Sequence, residues 1–161
     1  MKPSLYLETT IPSFLVGDVS PILITAAHQA ATRLWWTDRR SDYRLFVSAL
    51  VVEEISRGTR ELAEERLALI SDLPRLAVTT EVEELADELQ RFLGLPPTAR
   101  ADAVHVAAAC HYAMDYLLTW NLKHIASGRV RKSLDRFHDA TGRPTPTICT
   151  PEELLDWSDE L

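Results

Sequence analysis

A three-layer α/β/α sandwich, built on a mainly parallel sheet of about five strands, is the fold class that the sequence predicts. Short apolar runs that are typical of buried strands alternate along the chain with longer segments of helical periodicity. Strands that are separated by helices form parallel sheets with helices on both faces. A chain of 161 residues, of which 46% are hydrophobic, is long enough for one domain with its own core. We therefore expect residues 1–161 to form a single α/β domain.

The first half of the chain is predicted to contain three strands, over residues 5–7, 45–47 and 76–78. Ser20-Pro21 is a typical helix start, because serine is a favoured N-cap and proline suits the first helical position. The helix that begins there is expected to reach about Asp38. Further helices are expected over about 49–57 and 60–72.

The second half is predicted to contain two more strands, over 116–119 and 147–149. Thr80-Glu81-Val82-Glu83 has the form of a capping box and opens a helix. The apolar face of that helix consists of Val82, Leu85, Leu89 and Phe92. After a break at residues 94–97, the next helix is expected from about Thr98. One or two helices should follow in residues 122–143, here called the basic segment, and a capping box at Thr150-Pro151-Glu152-Glu153 begins a short terminal helix.

The charge of the chain is unevenly distributed. The formal net charge is −7, which argues against nucleic-acid binding by the chain as a whole. The basic segment, however, contains six lysine and arginine residues against two aspartates. Such a segment on an acidic body can hold phosphates while carboxylates elsewhere hold a metal ion. An ordinary solvated helix face explains the same arginines equally well.

Several functional classes lack their sequence signatures. The chain has no Walker loop, no GxGxxG loop and no GxSxG elbow, so nucleotide binding and serine hydrolysis are poorly supported. We expect neither a transmembrane span nor a signal peptide, because the apolar runs are short and interrupted. Cys110 and Cys149 lack metal-ligand spacing, which favours buried thiols in a reducing cytoplasm. We expect His105 and His111 to be packing or partly exposed residues.

Four acidic or amide residues are candidates for one shared site: Glu8, Glu54, Asp102 and Asn121. Glu8 directly follows the first predicted strand, and Asn121 follows the fourth. Ligands of open α/β sheets bind beyond the carboxyl ends of the strands, near the point where the strand order reverses. If these two strands are neighbours at that point, both side chains reach one crevice. Asp102 opens a helix that is apolar nearly all round and therefore buried, where an unpaired carboxylate is rare.

Two adjacent glutamates in the helix near residue 50 are predicted to have different environments. At 100° per residue, the buried face of that helix consists of Leu50, Val51, Val52 and Ile55. Glu53 then points almost directly away from this face, whereas Glu54 lies on its border. We therefore expect Glu53 to be a solvated surface charge and Glu54 to be the functional candidate.

The chemistry of the four candidates suits a divalent cation. Carboxylate and amide oxygens are the ligands that Mg²⁺ and Mn²⁺ prefer. A bound cation can neutralise a scissile phosphate and lower the pKa of a water molecule. Together with the basic segment, these residues indicate metal-assisted hydrolysis of phosphodiester bonds.

Three of the four candidates also have a structural alternative. Asp102 can complement the dipole of its helix, Glu8 can be a surface charge at a strand end, and Asn121 can cap a helix that starts at Leu122. Asp115 precedes the fourth strand, so we expect it at the opposite end of the sheet from Asn121 and in a structural role.

Four stretches of the chain, in order, carry a family resemblance. They are Tyr6-Leu7-Glu8-Thr9-Thr10, Ser48-Ala49-Leu50-Val51-Val52-Glu53-Glu54-Ile55 with Arg57-Gly58 following, Ala101-Asp102-Ala103-Val104-His105-Val106-Ala107, and Leu117-Leu118-Thr119-Trp120-Asn121-Leu122-Lys123-His124. In their order and spacing these stretches resemble the PIN-domain ribonucleases of the VapC toxin type. The resemblance covers nearly the whole chain, from Leu5 to about Leu155.

The resemblance implies a role for each of the four candidates. The first acidic residue of the family is usually an aspartate and here is Glu8. The family's glutamate after the second strand corresponds to Glu54, and the aspartate that opens the later helix corresponds to Asp102. The fourth position, often an aspartate, is Asn121. All four would then be catalytic, with Glu8, Asp102 and Asn121 at the metal.

The resemblance also implies the rest of the site and its partners. Thr10 matches a small polar position near the metal, and Thr119 matches a hydroxyl that supports the site. The family implies a PIN-like sandwich, dependence on Mg²⁺ or Mn²⁺, cleavage of single-stranded RNA, a homodimer, and inhibition by a small antitoxin in the cytoplasm. The residues expected to contact the RNA backbone are Lys123, His124, Arg129, Arg131 and Lys132.

Two departures from the family pattern define two hypotheses. Glu8 is one methylene longer than aspartate, and Asn121 removes a charge, which favours one tightly held ion over two. The leading hypothesis is a metal-dependent endoribonuclease that forms the toxin half of a toxin–antitoxin pair. The alternative is a PIN-like module that binds RNA or protein and has lost turnover.

Overall fold

The computed structural model, which describes residues 1–156, contains one sheet of five strands. The strands are β1 (Ser4–Leu7), β2 (Arg44–Ser48), β3 (Arg75–Leu76), β4 (Tyr116–Leu118) and β5 (Thr147–Cys149). Their order is β3-β2-β1-β4-β5, and every neighbouring pair is parallel. The predicted α/β class and its parallel five-stranded sheet are confirmed.

Seven α-helices flank the sheet in the described part of the chain. They are α1 (Thr10–Leu15), α2 (Leu23–Asp38), α3 (Ala49–Ile55), α4 (Arg60–Ile70), α5 (Thr80–Phe92), α6 (Arg100–His111) and α7 (Gly128–Thr141). Short 3₁₀ helices cover Arg40–Asp42, Pro97–Ala99 and Pro151–Leu154. Within residues 1–156, no helix has the length and apolar character needed to cross a membrane.

The central position of β1 creates the crevice of this sheet. β2 and β3 lie on one side of β1 and β4 and β5 on the other, so the strand order reverses between β1 and β4. All four residues of β1 are buried, and because successive side chains point to opposite faces, both faces are covered. Leu7 pairs with Leu118, so Glu8 and Thr119 leave the sheet side by side. The expectation that the first and fourth strands are neighbours is confirmed.

The segment between β1 and α2 differs from the prediction. Helix α1 is missing from the predicted elements, because its six residues are too few for a periodic pattern. The prediction of Ser20 as an N-cap is wrong, since α2 begins at Leu23 with Ile22 in the N-cap position. The Ser20 hydroxyl accepts a hydrogen bond from the Ile22 N–H at 3.1 Å. An N-cap makes the same kind of bond, but the extended backbone of Ile22 (ψ 116°) delays the regular helix to Leu23.

Two element boundaries in the middle of the chain are also corrected. β3 contains only Arg75–Leu76, so Val78 of the predicted strand lies outside it. The N-cap of α5 is Thr79, one residue before the predicted capping box. Its hydroxyl accepts a hydrogen bond from the Val82 N–H at 3.3 Å.

The apolar face of α5 is shorter than predicted. Val82, Leu85 and Leu89 are buried, but Phe92 is 44% exposed and meets the Phe137 ring edge-on at 5.2 Å. The basic segment contributes the single α-helix α7. Beyond it, the predicted capping box at Thr150-Pro151-Glu152-Glu153 is confirmed, and it opens a 3₁₀ turn.

Both cysteines are buried, free thiols, as predicted. Burial raises the pKa of Cys110 and of Cys149 to about 12. Each side chain therefore remains a protonated thiol at neutral pH and packs as a small apolar group.

Asp115 lies at the amino end of β4, at the opposite end of the sheet from Asn121, as predicted. Its Oδ2 accepts hydrogen bonds from the Ser4 N–H at 2.7 Å and the Ser4 hydroxyl at 2.8 Å. These two bonds lower the pKa of Asp115. The stability that comes from a lowered carboxyl pKa is fully present above the ordinary value of about 3.9 and is lost as the pH falls through the folded value.

We expect Asp115→Asn to lower the free energy of unfolding by up to about 1 kcal/mol near neutral pH, because the carboxylate is largely exposed. The difference from wild type should shrink as the pH falls below about 4, where the carboxylate itself becomes protonated. Urea denaturation of both proteins at a neutral and an acidic pH measures this difference. A difference that is the same at both pH values would contradict the role of the carboxylate charge.

Candidate active site at the carboxyl edge of the sheet

Glu8 is a buried carboxylate directly after β1, with a side chain held at one oxygen. It is 4% exposed. Its Oε2 accepts hydrogen bonds from the Thr10 N–H at 3.0 Å, the Thr10 hydroxyl at 2.6 Å and the Thr119 hydroxyl at 2.8 Å. Within residues 1–156, no hydrogen bond reaches its Oε1. A buried carboxylate is stable only when hydrogen-bond donors compensate its charge, and these three donors do so at Oε2. Oε1 is left for a ligand.

The two threonines connect the loops that follow β1 and β4. The Thr10 hydroxyl donates to Glu8 and accepts from the Trp120 N–H at 2.9 Å. The Thr119 hydroxyl likewise donates to Glu8 and accepts from the Asn121 N–H at 2.9 Å. Both hydroxyls therefore fix the Glu8 carboxylate relative to the backbone on both sides of the switch point.

Asp102 lies in the first turn of α6 and is held by the loop after β4. Its Oδ1 accepts a hydrogen bond from Asn121 Nδ2 at 2.9 Å, and its Oδ2 lies 2.8 Å from His124 Nδ1. The Asp102 side chain is 21% exposed, so it lies at the edge of an otherwise buried helix. Because a carboxylate only accepts, the second contact places a proton on His124 Nδ1.

Asn121 makes two side-chain contacts from the loop after β4. Its Oδ1 accepts a hydrogen bond from the His124 N–H at 3.0 Å, which caps a turn at residues 122–125 and not the expected helix. Its amide nitrogen faces Asp102. In this arrangement Asn121 orients Asp102, and its own contact with a metal ion stays a prediction.

Glu54 lies on the border of the buried face of α3, as predicted. Its side chain is 23% exposed, and Oε1 accepts hydrogen bonds from the Thr9 hydroxyl at 2.8 Å and from His105 Nε2 at 2.5 Å. Burial favours a higher pKa for Glu54, but the hydrogen bonds from His105 and Thr9 together with nearby positive charge, including that of Arg57, outweigh burial and lower the pKa. Glu53 is 66% exposed and pairs with Arg57 at 2.8 Å, which confirms it as a solvated surface charge.

The sequence interpretation missed the connection between His105 and Glu54. His105 is 1% exposed, and its Nδ1 lies 2.7 Å from the Tyr6 hydroxyl. One signal for it was present: His105 follows Asp102 by three residues, so both lie on one face of α6. Tyr6 lies two residues before Glu8, but nothing in the sequence pairs it with His105.

Hydrogen bonds join three of the four predicted residues into one network. Glu8 contacts Thr119, whose hydroxyl holds the Asn121 backbone, and Asn121 holds Asp102. Glu54 is linked to this network through the Thr9 hydroxyl, which donates to it, because Thr9 lies between Glu8 and Thr10 in the chain. Within the described residues 1–156, however, no three histidine, cysteine, aspartate or glutamate side chains converge as a ready metal-ligand group.

The available oxygens still suit a partly hydrated ion. Mg²⁺ usually keeps several waters and is held by one or two carboxylates together with substrate phosphates. Glu8 Oε1 accepts no hydrogen bond from the described residues, and each Asp102 oxygen accepts one, so these hard oxygen donors keep lone pairs for a ligand. The donor chemistry therefore fits Mg²⁺ or Mn²⁺.

Of the five side chains predicted to contact RNA, three already have partners in the protein. His124 contacts Asp102, the Arg129 guanidinium donates to the Leu93 carbonyl at 2.6 Å, and Arg131 pairs with Glu153 at 2.7 Å. Lys123 and Lys132 are exposed. Lys123 and Lys132 can therefore contact a phosphate directly, whereas the other three side chains would first have to leave the partners named above.

Comparisons with known proteins show the fold. No family model matches the sequence, and no curated protein matches it. A chain in the crystal structure of VapBC2 from Rickettsia felis, bound to a DNA fragment from their promoter, superposes with a TM-score of 0.59. The match covers 91% of this chain and 97% of that chain at 15% sequence identity. The fold is therefore PIN-like, as the sequence resemblance implies.

Proposed function

We propose that this protein is a metal-dependent endoribonuclease that hydrolyses phosphodiester bonds in single-stranded RNA. The PIN-like fold, which it shares with a chain of the VapBC2 complex, supports a nuclease. One observation carries the proposal: the buried Glu8 carboxylate keeps one oxygen open, next to the loop that holds Asp102. Both lie at the switch point of the sheet, where open α/β folds bind their ligands.

Each candidate residue has a separate role in hydrolysis. Glu8 and Asp102 would hold Mg²⁺ or Mn²⁺, and Asn121 assists by orienting Asp102. When bound, the ion supplies charge neutralisation at the scissile phosphate and a lower pKa for a water molecule. Glu54 orients the attacking water and accepts its proton at Oε2, since Oε1 is occupied by Thr9 and His105.

The partners follow from the same proposal. Lys123 and Lys132 contact the RNA backbone, and His124, Arg129 and Arg131 extend that surface when RNA displaces their present partners. A small antitoxin neutralises the enzyme in the cytoplasm, as the similarity to a VapBC2 chain suggests. The active form is a homodimer.

A PIN-like module that binds RNA or protein without turnover is the second candidate. It is favoured by Asn121, whose neutral amide donates to Asp102 at the position where the family often has another carboxylate. Fewer charges at this edge weaken the attraction for a cation. RNA binding that is independent of Mn²⁺ would be sufficient for such a module.

Cleavage and binding of the same RNA separate these two candidates. A fluorescently labelled single-stranded RNA is incubated with the protein in Mn²⁺, in Mg²⁺ or in EDTA, and cleavage and anisotropy are followed together. The nuclease predicts cleavage with either cation and none in EDTA. Binding that is equally tight in EDTA, without cleavage under any condition, would overturn the nuclease and support the module.

We expect Glu54→Gln to lower kcat by about 100-fold, because a general base contributes about 10²–10⁴ to the rate. Glutamine keeps an oxygen that accepts from Thr9 and His105, so folding and RNA binding should be retained. The matched control is Glu53→Gln, one residue away and on the solvent side, which should keep kcat within about twofold of wild type. Equal losses in both variants would exclude the proposed role of Glu54.

A further inference from the structure

A chain of buried polar groups lies behind Glu54. Ser48 and Tyr6 are fully buried, and His105 is 1% exposed. The Tyr6 hydroxyl lies 2.7 Å from Ser48 Oγ and 2.7 Å from His105 Nδ1, and His105 Nε2 lies 2.5 Å from Glu54 Oε1. Buried polar groups are costly unless all of them are bonded.

The acceptor at one end fixes the direction of these hydrogen bonds. Glu54 Oε1 accepts from the Thr9 hydroxyl, and a carboxylate oxygen only accepts, so His105 Nε2 must carry the proton. In a neutral imidazole Nδ1 is then an acceptor, and the Tyr6 hydroxyl must donate to it. Ser48 donates to Tyr6 and accepts from the Val51 N–H at 3.3 Å.

The opposite arrangement leaves a donor without a partner. If His105 carried protons on both nitrogens, Nδ1 would donate to Tyr6 and Tyr6 would donate to Ser48. The Ser48 oxygen would then accept from Tyr6 and from Val51, and its own proton would have no acceptor among the described residues. The neutral ring with its proton on Nε2 satisfies every group.

We propose that Ser48, Tyr6 and His105 form a relay of positioning residues that locks Glu54 Oε1 in place and reserves Oε2 for the attacking water. The catalytic half of this statement rests on the proposed function, whereas the hydrogen-bond direction is a property of the fold. Thr9 donates to the same oxygen, so Oε1 accepts from two separate donors. The relay touches neither RNA nor metal and acts only through Glu54.

The hydrogen-bond direction is tested by NMR, without reference to activity. Long-range ¹H–¹⁵N spectra report which imidazole nitrogen of each histidine carries the proton, and the His105→Gln spectrum assigns the His105 signals. We expect the Nε2–H form in wild type and a mixture of both tautomers in Tyr6→Phe, which removes only the hydroxyl. Tyr112→Phe is the matched control, because it removes a hydroxyl bonded at 2.8 Å to the Ala77 carbonyl, outside the relay. An Nδ1–H or doubly protonated His105 in the wild-type protein at neutral pH would overturn the relay.

The positioning role is tested by the kinetics of the same variants. Tyr6→Phe and His105→Leu should lower kcat by about 10- to 100-fold with little change in KM. Losses of about this size are usual when a residue that orients a functional side chain is replaced. His105→Gln should recover most of the loss relative to His105→Leu, because its amide can still donate to Glu54. A purely structural role predicts no such rescue.

A double-mutant cycle separates the relay from other causes of lost activity. If Tyr6 acts only through Glu54, Tyr6→Phe should have no further effect on kcat in the Glu54→Gln background. Independent, additive losses would overturn the positioning role. If wild type cleaves no RNA, the proposed function fails, while an Nε2–H tautomer that is lost in Tyr6→Phe still supports the relay to Glu54.

Discussion

Replacement of Asp102 by asparagine is expected to lower RNA cleavage by at least about 1000-fold. A bound cation contributes several kcal/mol to the transition state, and each 1.4 kcal/mol corresponds to about tenfold in rate. Asparagine removes the negative charge that would hold the cation but keeps the size of the side chain. Single-turnover cleavage of labelled RNA by wild type and Asp102→Asn measures the loss.

The fold of Asp102→Asn should be preserved, because its neighbours can still be satisfied. The asparagine oxygen can accept from Asn121, and its amide can donate to His124 if that ring moves its proton from Nδ1 to Nε2. We expect the melting temperature to change by less than about 4 °C, which corresponds to about 1 kcal/mol for a chain of this size. Asp139→Asn, on the exposed side of α7, is the matched control and should cleave like wild type. Full activity in Asp102→Asn would remove this residue from the site.

Two substitutions of Glu8 are expected to separate its structural role from its catalytic role. Glu8→Ala removes the acceptor of three hydrogen bonds from Thr10 and Thr119. Each buried donor that is left unpaired costs about 1–3 kcal/mol, so the free energy of unfolding should fall by about 2–4 kcal/mol after partial relaxation. Glu8→Gln can place its oxygen at the position of Oε2 and should keep most of that stability.

Cleavage should nevertheless be lost in Glu8→Gln, by at least about 1000-fold, because the amide nitrogen would take the place of the open Oε1. Urea denaturation compares the stability of the two variants, and single-turnover cleavage compares their activity. If Glu8→Ala is as stable as wild type, the three hydrogen bonds do not hold the loop. If Glu8→Gln is fully active, the charge of Glu8 is not used in the reaction.

The arrangement of the sheet could be predicted because local patterns specify it. The apolar runs at β1, β2 and β4 are separated by periodic helices, and this alternation requires a parallel sheet. Helix α1 carries no such pattern, since it is six residues long and includes Pro12. Ser20-Pro21 has the residues of a helix start, but the backbone of Ile22 is extended and α2 begins only at Leu23. Short elements and competing turns are where the sequence pattern is weakest.

In the candidate site, too, local sequence patterns predicted some features, and contacts between distant residues could not be predicted. The helical angle of 100° per residue was sufficient to distinguish Glu54 from Glu53. The orientation of Asn121 toward Asp102 depends on how β4 and α6 pack, and the sequence does not specify this. The contact between Tyr6 and His105 joins residues 99 positions apart, so no local pattern predicts it.

The most direct test of the central claim, that Glu8 and Asp102 together hold a divalent cation, is a Mn²⁺ titration followed by electron paramagnetic resonance. Wild type, Glu8→Gln and Asp102→Asn are titrated alongside the exposed control Asp139→Asn. We predict one bound ion in wild type and in the control, and an affinity that is at least about tenfold weaker in each site variant. Mn²⁺ affinity that is the same in all four proteins would contradict the account.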